Sequence, residues 1–214
     1  MKRTVSLVFS LSAMVCILLT TSISLSVGAD LDSYVALKPG IYSPQADPFK
    51  EFDTGFNGEI SFGHYVTPNF GLELGVGYFE SKGPGIIVTP GSVVVPADGK
   101  FYVIPVTLNA KYLYPMGGFE PYAEAGVGVY VADAKLSGGG VSFSDRYTNL
   151  GVFLGGGVNF NITENIFLGV EGRYHWVGRD KFELGQVTQY ANVDGYTATA
   201  NVGYRFSTVS KGGF

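Results

Sequence analysis

Nine charged or titratable side chains lie at alternate positions within otherwise apolar stretches of the chain. Glu171, Arg173 and His175 show this spacing most clearly, because residues two apart in a strand project from the same face. General acid–base catalysis would need such groups within hydrogen-bonding reach of each other, and spacing alone does not establish that contact. Four acids and four bases on one face instead predict a balanced, buried ionic network. The predicted network comprises Lys38, Glu59, Glu73, Lys111, Glu124, Glu171, Arg173, His175 and Arg205.

The two histidines and the single cysteine add little further chemistry. His175 belongs to the predicted network, whereas His64 falls on the opposite, apolar face near the edge of its segment. Cys16 is the only cysteine and lies in the N-terminal apolar segment. The sequence has no metal-ligand spacing and no nucleotide-binding loop. We therefore predict no catalytic residue, no bound cofactor and no metal site.

Eight segments with a period of two could position these charges, and such a period is typical of β-strands with two different faces. Short turns and long connections alternate between the segments, which is typical of antiparallel hairpins that thread through a bilayer. The long connections are predicted at 43–55, 80–100, 132–146 and 178–192. The predicted strands are Tyr34–Tyr42, Phe56–Val66, Phe70–Phe79, Tyr102–Tyr114, Pro121–Val131, Tyr147–Ile162, Ile166–Val177 and Val193–Phe206.

The apolar face carries no charge in the central part of these segments, so it suits lipid better than water. A soluble eight-stranded barrel would be apolar inside and charged outside, and a membrane barrel has the reverse arrangement. Aromatic residues on the apolar face fall near both ends of the strands, as at the two water interfaces of a membrane barrel. After the N-terminal segment, no stretch reaches the roughly 20 apolar residues that a membrane helix needs. The pattern predicts an all-β fold, an eight-stranded antiparallel up-and-down transmembrane β-barrel with a polar lumen.

The N-terminal segment has the features of a cleaved signal peptide. Lys2 and Arg3 precede an apolar stretch, and Val27-Gly28-Ala29 offers small residues at a cleavage position. An uncleaved membrane anchor is the alternative. We predict a signal peptide at 1–29, the barrel at 30–206 and a short tail at 207–214. Cleavage would change the formal net charge from −4 to −6, which argues against nucleic acid as a partner.

Three stretches resemble the small outer-membrane β-barrel superfamily, which includes the OmpA transmembrane domain, OmpX and OmpW-like proteins. They are Tyr122–Tyr130, Gly155–Phe160 and Val202–Phe206. The resemblance implies a Gram-negative cell outer membrane as the location, with outer-membrane lipid and lipopolysaccharide as surroundings. It also implies that Tyr204 and Phe206 form a signal for the barrel assembly machinery, although eight residues follow Phe206.

The function that we predict is non-enzymatic: a structural or surface-interaction role, with a largely plugged polar lumen and an unidentified surface partner. Narrow porin-like or OmpW-like passage of small solutes is the alternative, because many glycines face the lumen. A lipid A-modifying enzyme is a remote alternative, since the His-x-Ser arrangement of the deacylase type is missing at His64 and His175. The apolar stretch Ile86–Val95 is predicted to form a hairpin beyond the membrane.

Overall fold

The computed structural model describes residues 32–47, 49–89, 93–138, 141–178, 180–184, 187–191 and 193–207. The predicted signal peptide and residues 208–214 of the predicted tail lie outside this range. Among the described residues, no helix is both long enough and apolar enough to cross a membrane. The strands are β1 (Asp32–Pro44), β2 (Gly55–Thr67), β3 (Phe70–Thr89), β4 (Val93–Leu113), β5 (Phe119–Gly138), β6 (Val141–Asn161), β7 (Ile166–Val177), β8 (Asp180–Leu184), β9 (Val187–Ala191) and β10 (Gly195–Ser207). A 3-10 helix, η1, spans Phe49–Glu51.

Eight of these strands form a closed antiparallel barrel in the order β1, β10, β7, β6, β5, β4, β3 and β2. Closure occurs between the first and last strands, where Tyr34 pairs with Arg205 and Gly40 pairs with Thr199. A closed barrel pairs its backbone polar groups without a free edge, which a lipid environment requires. The prediction of an eight-stranded antiparallel transmembrane barrel is confirmed.

Two of the predicted long connections are instead long hairpins. β3 and β4 stay paired from Phe70 opposite Tyr112 out to Thr89 opposite Val93, and β5 and β6 stay paired out to Gly138 opposite Val141. The connections predicted at 80–100 and 132–146 were therefore wrong, apart from the hairpin expected at Ile86–Val95. The reason is that these segments continue their backbone hydrogen bonds beyond the apolar band that marked the predicted strand ends.

The connection predicted at 178–192 also contains strands. β8 and β9 form a separate two-stranded sheet there, with Asp180 opposite Ala191 and Leu184 opposite Val187. The barrel thus has a turn end, where β2–β3, β4–β5 and β6–β7 are joined by short turns, and a hairpin end, where the paired strands project. We use these two names below.

The outward face of the barrel is apolar, as predicted. On β7, Leu168, Val170 and Trp176 are about half exposed, while the alternate positions are buried. Aromatic residues ring both ends of this face. Those exposed near the turn end include Phe62, Phe70, Tyr112, Tyr114, Phe160 and Tyr204, and those near the hairpin end include Phe56, Trp176 and Tyr196. Near the hairpin end, Tyr174 packs against Trp176 and Tyr196 at centroid distances of 4.6 and 4.5 Å. These positions match an apolar band flanked by two aromatic belts.

Candidate functional site

The barrel interior brings seven of the nine predicted network residues into one group at mid-height. They are Lys38, Glu59, Glu73, Lys111, Glu124, Glu171 and Arg173, which we call the central ion cluster. They come from β1, β2, β3, β4, β5 and β7, so closure of the barrel is what assembles them. Each side chain in this cluster is at most 9% exposed.

Arg173 makes the most ion pairs within the central ion cluster. Its guanidinium nitrogens lie 2.8 Å from Glu59, 3.2 Å from Glu73, 2.7 Å from Glu124 and 2.8 Å from Glu171. A guanidinium can do this because its donors are arranged in a rigid planar fork that suits carboxylates. Arg173 therefore links carboxylates from four different strands.

Two lysines, Lys38 on β1 and Lys111 on β4, complete the cluster. Lys38 Nζ lies 2.7 Å from Glu73 Oε1 and 3.1 Å from both Glu59 Oε1 and Glu171 Oε2. Lys111 Nζ lies 3.0 Å from Glu73 Oε2 and 3.3 Å from Glu171 Oε2. Glu73 and Glu171 thus each contact all three cations. Shared contacts of this kind are what buried charges need to offset their loss of hydration.

Neutral side chains complete the hydrogen bonding of the cluster. The Tyr34 hydroxyl donates to Glu73 at 2.7 Å, and the Tyr122 hydroxyl donates to Glu171 at 2.8 Å. The Asn109 amide donates to Glu124 at 2.6 Å. Sequence reasoning placed Asn109 on the lumen face but missed the two tyrosines as partners. The signal that could have found them is their position, because both occupy the polar face of their strands in the alternating pattern.

Arg205 lies outside the central ion cluster, which changes the predicted balance of charge. Its guanidinium pairs with Glu120 and donates to Asn161 Oδ1 at 2.7 Å near the turn end. The rings of Tyr65 and Phe167 lie on its faces at 5.7 and 4.8 Å. Glu120 was missed because it was assigned to a turn boundary. The cluster therefore holds four carboxylates and three cations, a formal charge of −1 rather than zero.

His175 also lies inside the barrel, but it has no ion pair in the described part of the chain. Its two ring nitrogens lie 2.9 Å from the Tyr130 hydroxyl and 3.1 Å from Thr197 Oγ1. The ring packs against Phe79 and Phe153 at centroid distances of 5.9 and 5.4 Å. His175 therefore joins the charged layer to an aromatic layer above it.

The lumen at the hairpin end is aromatic rather than polar, contrary to the prediction. We call this layer the mouth cluster. Its members are Tyr42, Phe49, Phe79, Phe101, Val103, Tyr130, Ala132, Ala134, Tyr147, Val177 and Val193, with Phe52 packed against them. Tyr42 stacks on Phe79 at 4.5 Å, and its hydroxyl donates to the Val193 carbonyl at 2.8 Å. The predicted lumen was polar and largely plugged, and at this end apolar side chains fill it instead because they bury each other there.

The connection between β1 and β2 supplies two rings to the mouth cluster. Phe49 in η1 is 7% exposed and lies 4.4 Å from Phe101, centroid to centroid. Phe52 lies against Gly83 and Gly99, which face each other across β3 and β4. A Cβ at Gly99 would lie only 2.7 Å from the Phe52 ring, so these two glycines leave the space that the ring occupies. The connection thus folds back over the barrel mouth.

Two small polar cavities flank the central ion cluster, each with room for about one water molecule. The upper cavity is lined by Lys38, Glu59, His175 and Thr197, among others. The lower cavity is lined by Tyr34, Glu73, Asn159 and Asn201, among others. The cluster lies between them.

The arrangement is a poor fit to a metal site. Glu73, Glu124 and Glu171 place carboxylate oxygens within 4.8 Å of one another. Lys111 and Arg173 contact all three of these carboxylates, and their positive charges oppose a divalent cation at the same place.

His64 is the other histidine that a catalytic hypothesis could use. Its Nδ1 lies 3.0 Å from Ser33 Oγ, a contact between neighbouring strands that sequence spacing did not indicate. Among the described side chains, no carboxylate hydrogen-bonds to either residue, so a third member of a triad is missing from this pair.

Comparisons with known proteins support the barrel fold. The model of the outer membrane protein beta-barrel domain matches residues 11–206. A protein named as a candidate adhesin of Rickettsia bellii is 26% identical over 151 residues, covering 64% of this chain and 65% of that protein, slightly under two thirds of its length. OprG of Pseudomonas aeruginosa is a structural neighbour with a TM-score of 0.63 and 19% identity, covering 83% of this chain and 96% of OprG.

A second structural neighbour is Ail, the attachment invasion locus protein of Yersinia pestis, solved in complex with the heparin analogue sucrose octasulfate. Its TM-score is 0.53 at 15% identity, and the match covers 83% of this chain and all of that one. At these identities the two structures support the fold alone. The family model matches most of the chain, so it shows the family as well as the fold. The protein is therefore a β-barrel of the cell outer membrane, and it belongs to the outer membrane protein beta-barrel domain family.

Proposed function

We propose that this outer-membrane barrel is non-enzymatic, that its lumen is closed to solutes, and that its role is structural in the membrane and interactive at the cell surface. The observation that carries the proposal is the stacking of three side-chain layers inside the barrel. The mouth cluster fills the hairpin end, the central ion cluster fills the middle, and Arg205 with its aromatic neighbours fills the turn end. An eight-stranded barrel is just wide enough for side chains to fill in this way.

The strength of the middle layer supports a closed lumen. Opening a path there requires separating Arg173 or the lysines from buried carboxylates. Removing one partner of a buried ion pair costs about 3–5 kcal/mol, and Arg173 has four partners. Spontaneous opening of the lumen at such a cost in free energy would be rare.

Restricted passage of small solutes is the second candidate, and the two small cavities favour it. They would give a water path if the central ion cluster rearranged. Uptake of small sugars and amino acids by vesicles that contain the refolded protein distinguishes the two functions. We expect no swelling above that of empty vesicles. Swelling by the wild-type protein would make restricted passage the leading function.

The projecting strands support the surface part of the proposal. In bilayer-embedded barrels the long connections face the outside, so the hairpin end is the extracellular end. β3 continues about ten residues beyond Phe79, which is about 30 Å of extended chain. The adhesin description of the Rickettsia bellii relative also favours contact with another cell.

A cell-adhesion assay tests this surface role. Bacteria that display the wild-type protein are compared with bacteria that display a variant in which residues 85–97 are replaced by a short glycine–serine turn. We expect the truncated barrel to fold and to adhere less to an epithelial monolayer. Equal adhesion of both strains and of an empty-vector strain would refute the surface role while leaving the closed lumen unaffected.

A further inference from the structure

Three lysines form a row across neighbouring strands on the outward face of the barrel wall. Lys82 on β3 lies opposite Lys100 on β4, and Lys100 lies opposite Lys135 on β5. Neighbouring strands are about 4.8 Å apart, so these positive charges lie side by side. Like charges directly opposite each other destabilise a sheet unless something else compensates them. We call these three residues the lysine row.

The lysine row lies just outside the extracellular aromatic belt. Tyr78 and Tyr102 stack on the same outward face at a centroid distance of 6.1 Å. Lys82 follows Tyr78 by four residues on β3, and Lys100 precedes Tyr102 by two residues on β4. Val76 on the membrane side of the tyrosines is 40% exposed, as expected for a lipid-facing residue. The row is therefore at the level of the lipid headgroups of the outer leaflet.

One of the three lysines is neutralised within the protein. Lys100 Nζ lies 2.9 Å from Glu80 Oε2, and the Tyr78 hydroxyl donates to the same carboxylate at 2.6 Å. These two hydrogen bonds, from Tyr78 first and then from Lys100, hold the pKa of Glu80 below its ordinary value. Glu80 is thus a carboxylate at neutral pH, and it offsets the charge of Lys100.

The two outer lysines have no such partner. Among the side chains that the structure describes, no carboxylate lies within 4.0 Å of Lys82 or Lys135, and both residues are exposed. The contact recorded for Lys135 is with the Tyr102 ring, 5.6 Å from its centroid. Asp98 is on the same face, one pair of residues farther from the membrane. Lys82 also feels the charge of Glu80 at longer range. Lys82 and Lys135 therefore flank Lys100 on its two neighbouring strands, and in the described part of the chain neither has a carboxylate in ion-pair contact.

We propose that the lysine row binds phosphate groups of lipopolysaccharide in the outer leaflet. An ammonium group binds phosphate as a point charge, and the row offers two of them about 10 Å apart across three strands. A lipid phosphate would also relieve the repulsion between opposed lysines. Basic residues next to a membrane-spanning segment are attracted to anionic lipid by the same electrostatics. The proposal depends on location in the outer membrane and is independent of whether the lumen is closed.

The test measures binding of fluorescent lipopolysaccharide to the folded protein in phosphatidylcholine nanodiscs. The variants are Lys82→Gln, Lys135→Gln and the two combined, and the matched control is Lys50→Gln, which removes one charge from an exposed lysine of η1 that is not part of the row. An exposed charge pair contributes about 0.2–1 kcal/mol, which is about 1.4- to 5-fold in affinity. We expect about a 2- to 30-fold loss in the double variant and less than a twofold change in the control. A heat-dependent gel shift verifies that each variant is folded.

Two further ligands identify the source of the phosphate. Lipopolysaccharide treated with phosphatase should bind the wild-type protein as weakly as intact lipopolysaccharide binds the double variant. Inorganic phosphate at millimolar concentration should compete poorly, because it lacks the lipid anchor. Equal binding of intact lipopolysaccharide by the wild-type protein and the double variant would overturn the proposal. Equal binding of the dephosphorylated lipid, or complete competition by inorganic phosphate, would overturn the assignment to lipid phosphate.

Discussion

Replacing Arg173 by methionine should be among the most destabilising single changes that this barrel can undergo. The substitution keeps a long unbranched side chain but removes the cation that contacts Glu59, Glu73, Glu124 and Glu171. The formal charge of the central ion cluster then changes from −1 to −2. The Arg173 side chain is only 3% exposed, so water cannot easily replace its contacts. The expected loss in the free energy of unfolding is about 3–5 kcal/mol, the usual cost of leaving a buried charge without its partner.

Urea unfolding in lipid vesicles measures this loss, and the chain carries its own reporter. Trp176 is the only tryptophan, and it lies on the lipid-facing surface in the extracellular aromatic belt. The matched control is Lys50→Met, which removes the charge of an exposed side chain in η1, so this variant should lose less than about 1 kcal/mol. A loss for Arg173→Met no larger than that of the control would refute the structural importance of the cluster.

A second substitution separates the electrostatic contribution from packing. Glu124→Gln removes one negative charge and keeps the shape of the side chain that receives the 2.7 Å contact from Arg173. Added to Arg173→Met, it should restore part of the lost stability, because the cluster returns to a formal charge of −1. If the double variant is less stable than Arg173→Met by the full cost of Glu124→Gln alone, the two residues are independent and electrostatic coupling is not the cause.

Two further predictions concern the extracellular end. Gly99→Val should displace Phe52 from the space that the glycine leaves, because the added Cβ would lie 2.7 Å from the ring. Limited proteolysis should then cut the β1–β2 connection faster. Unchanged cleavage would contradict the packing of Phe52 against Gly99. Hydrogen bonds from Tyr78 and Lys100 lower the pKa of the Glu80 carboxyl. The stability that its ion pair contributes is therefore fully present above the ordinary pKa of a glutamate and is lost as the pH falls through the lowered pKa. NMR titration should show this pKa rising in Lys100→Gln, and the same value in both proteins would exclude Lys100 as a cause.

The alternation of residue types predicted the barrel because its cause is local. A strand in lipid must be apolar outward and can be polar inward, so each segment carries the pattern by itself. Glu171 and Arg173 could be assigned to the lumen for this reason. The strand extensions beyond Glu80 were predicted only as the hairpin at Ile86–Val95, because the contrast between a lipid-facing side and a lumen-facing side, which marks a membrane strand, ends at the aromatic belt.

The pairing of side chains across the lumen could not be predicted in the same way. Arg205 contacts Glu120 from a strand 85 residues away in sequence, and that distance closes only when the barrel does. Phe49 and Phe52 lie in a connection with no strand pattern, so nothing local indicated that they fold back into the mouth. Such contacts depend on barrel closure and on side-chain packing, both of which involve the whole chain.

Single-channel recording of the refolded protein in a planar bilayer tests the closed lumen most directly, with folding verified by the heat-dependent gel shift. We predict that the wild-type protein gives no resolved conductance steps, because the mouth cluster and the central ion cluster both block the path. Steady conductance through the correctly folded wild-type protein would contradict the account. Conductance that persists when the extracellular hairpins are shortened would place the path in the lumen.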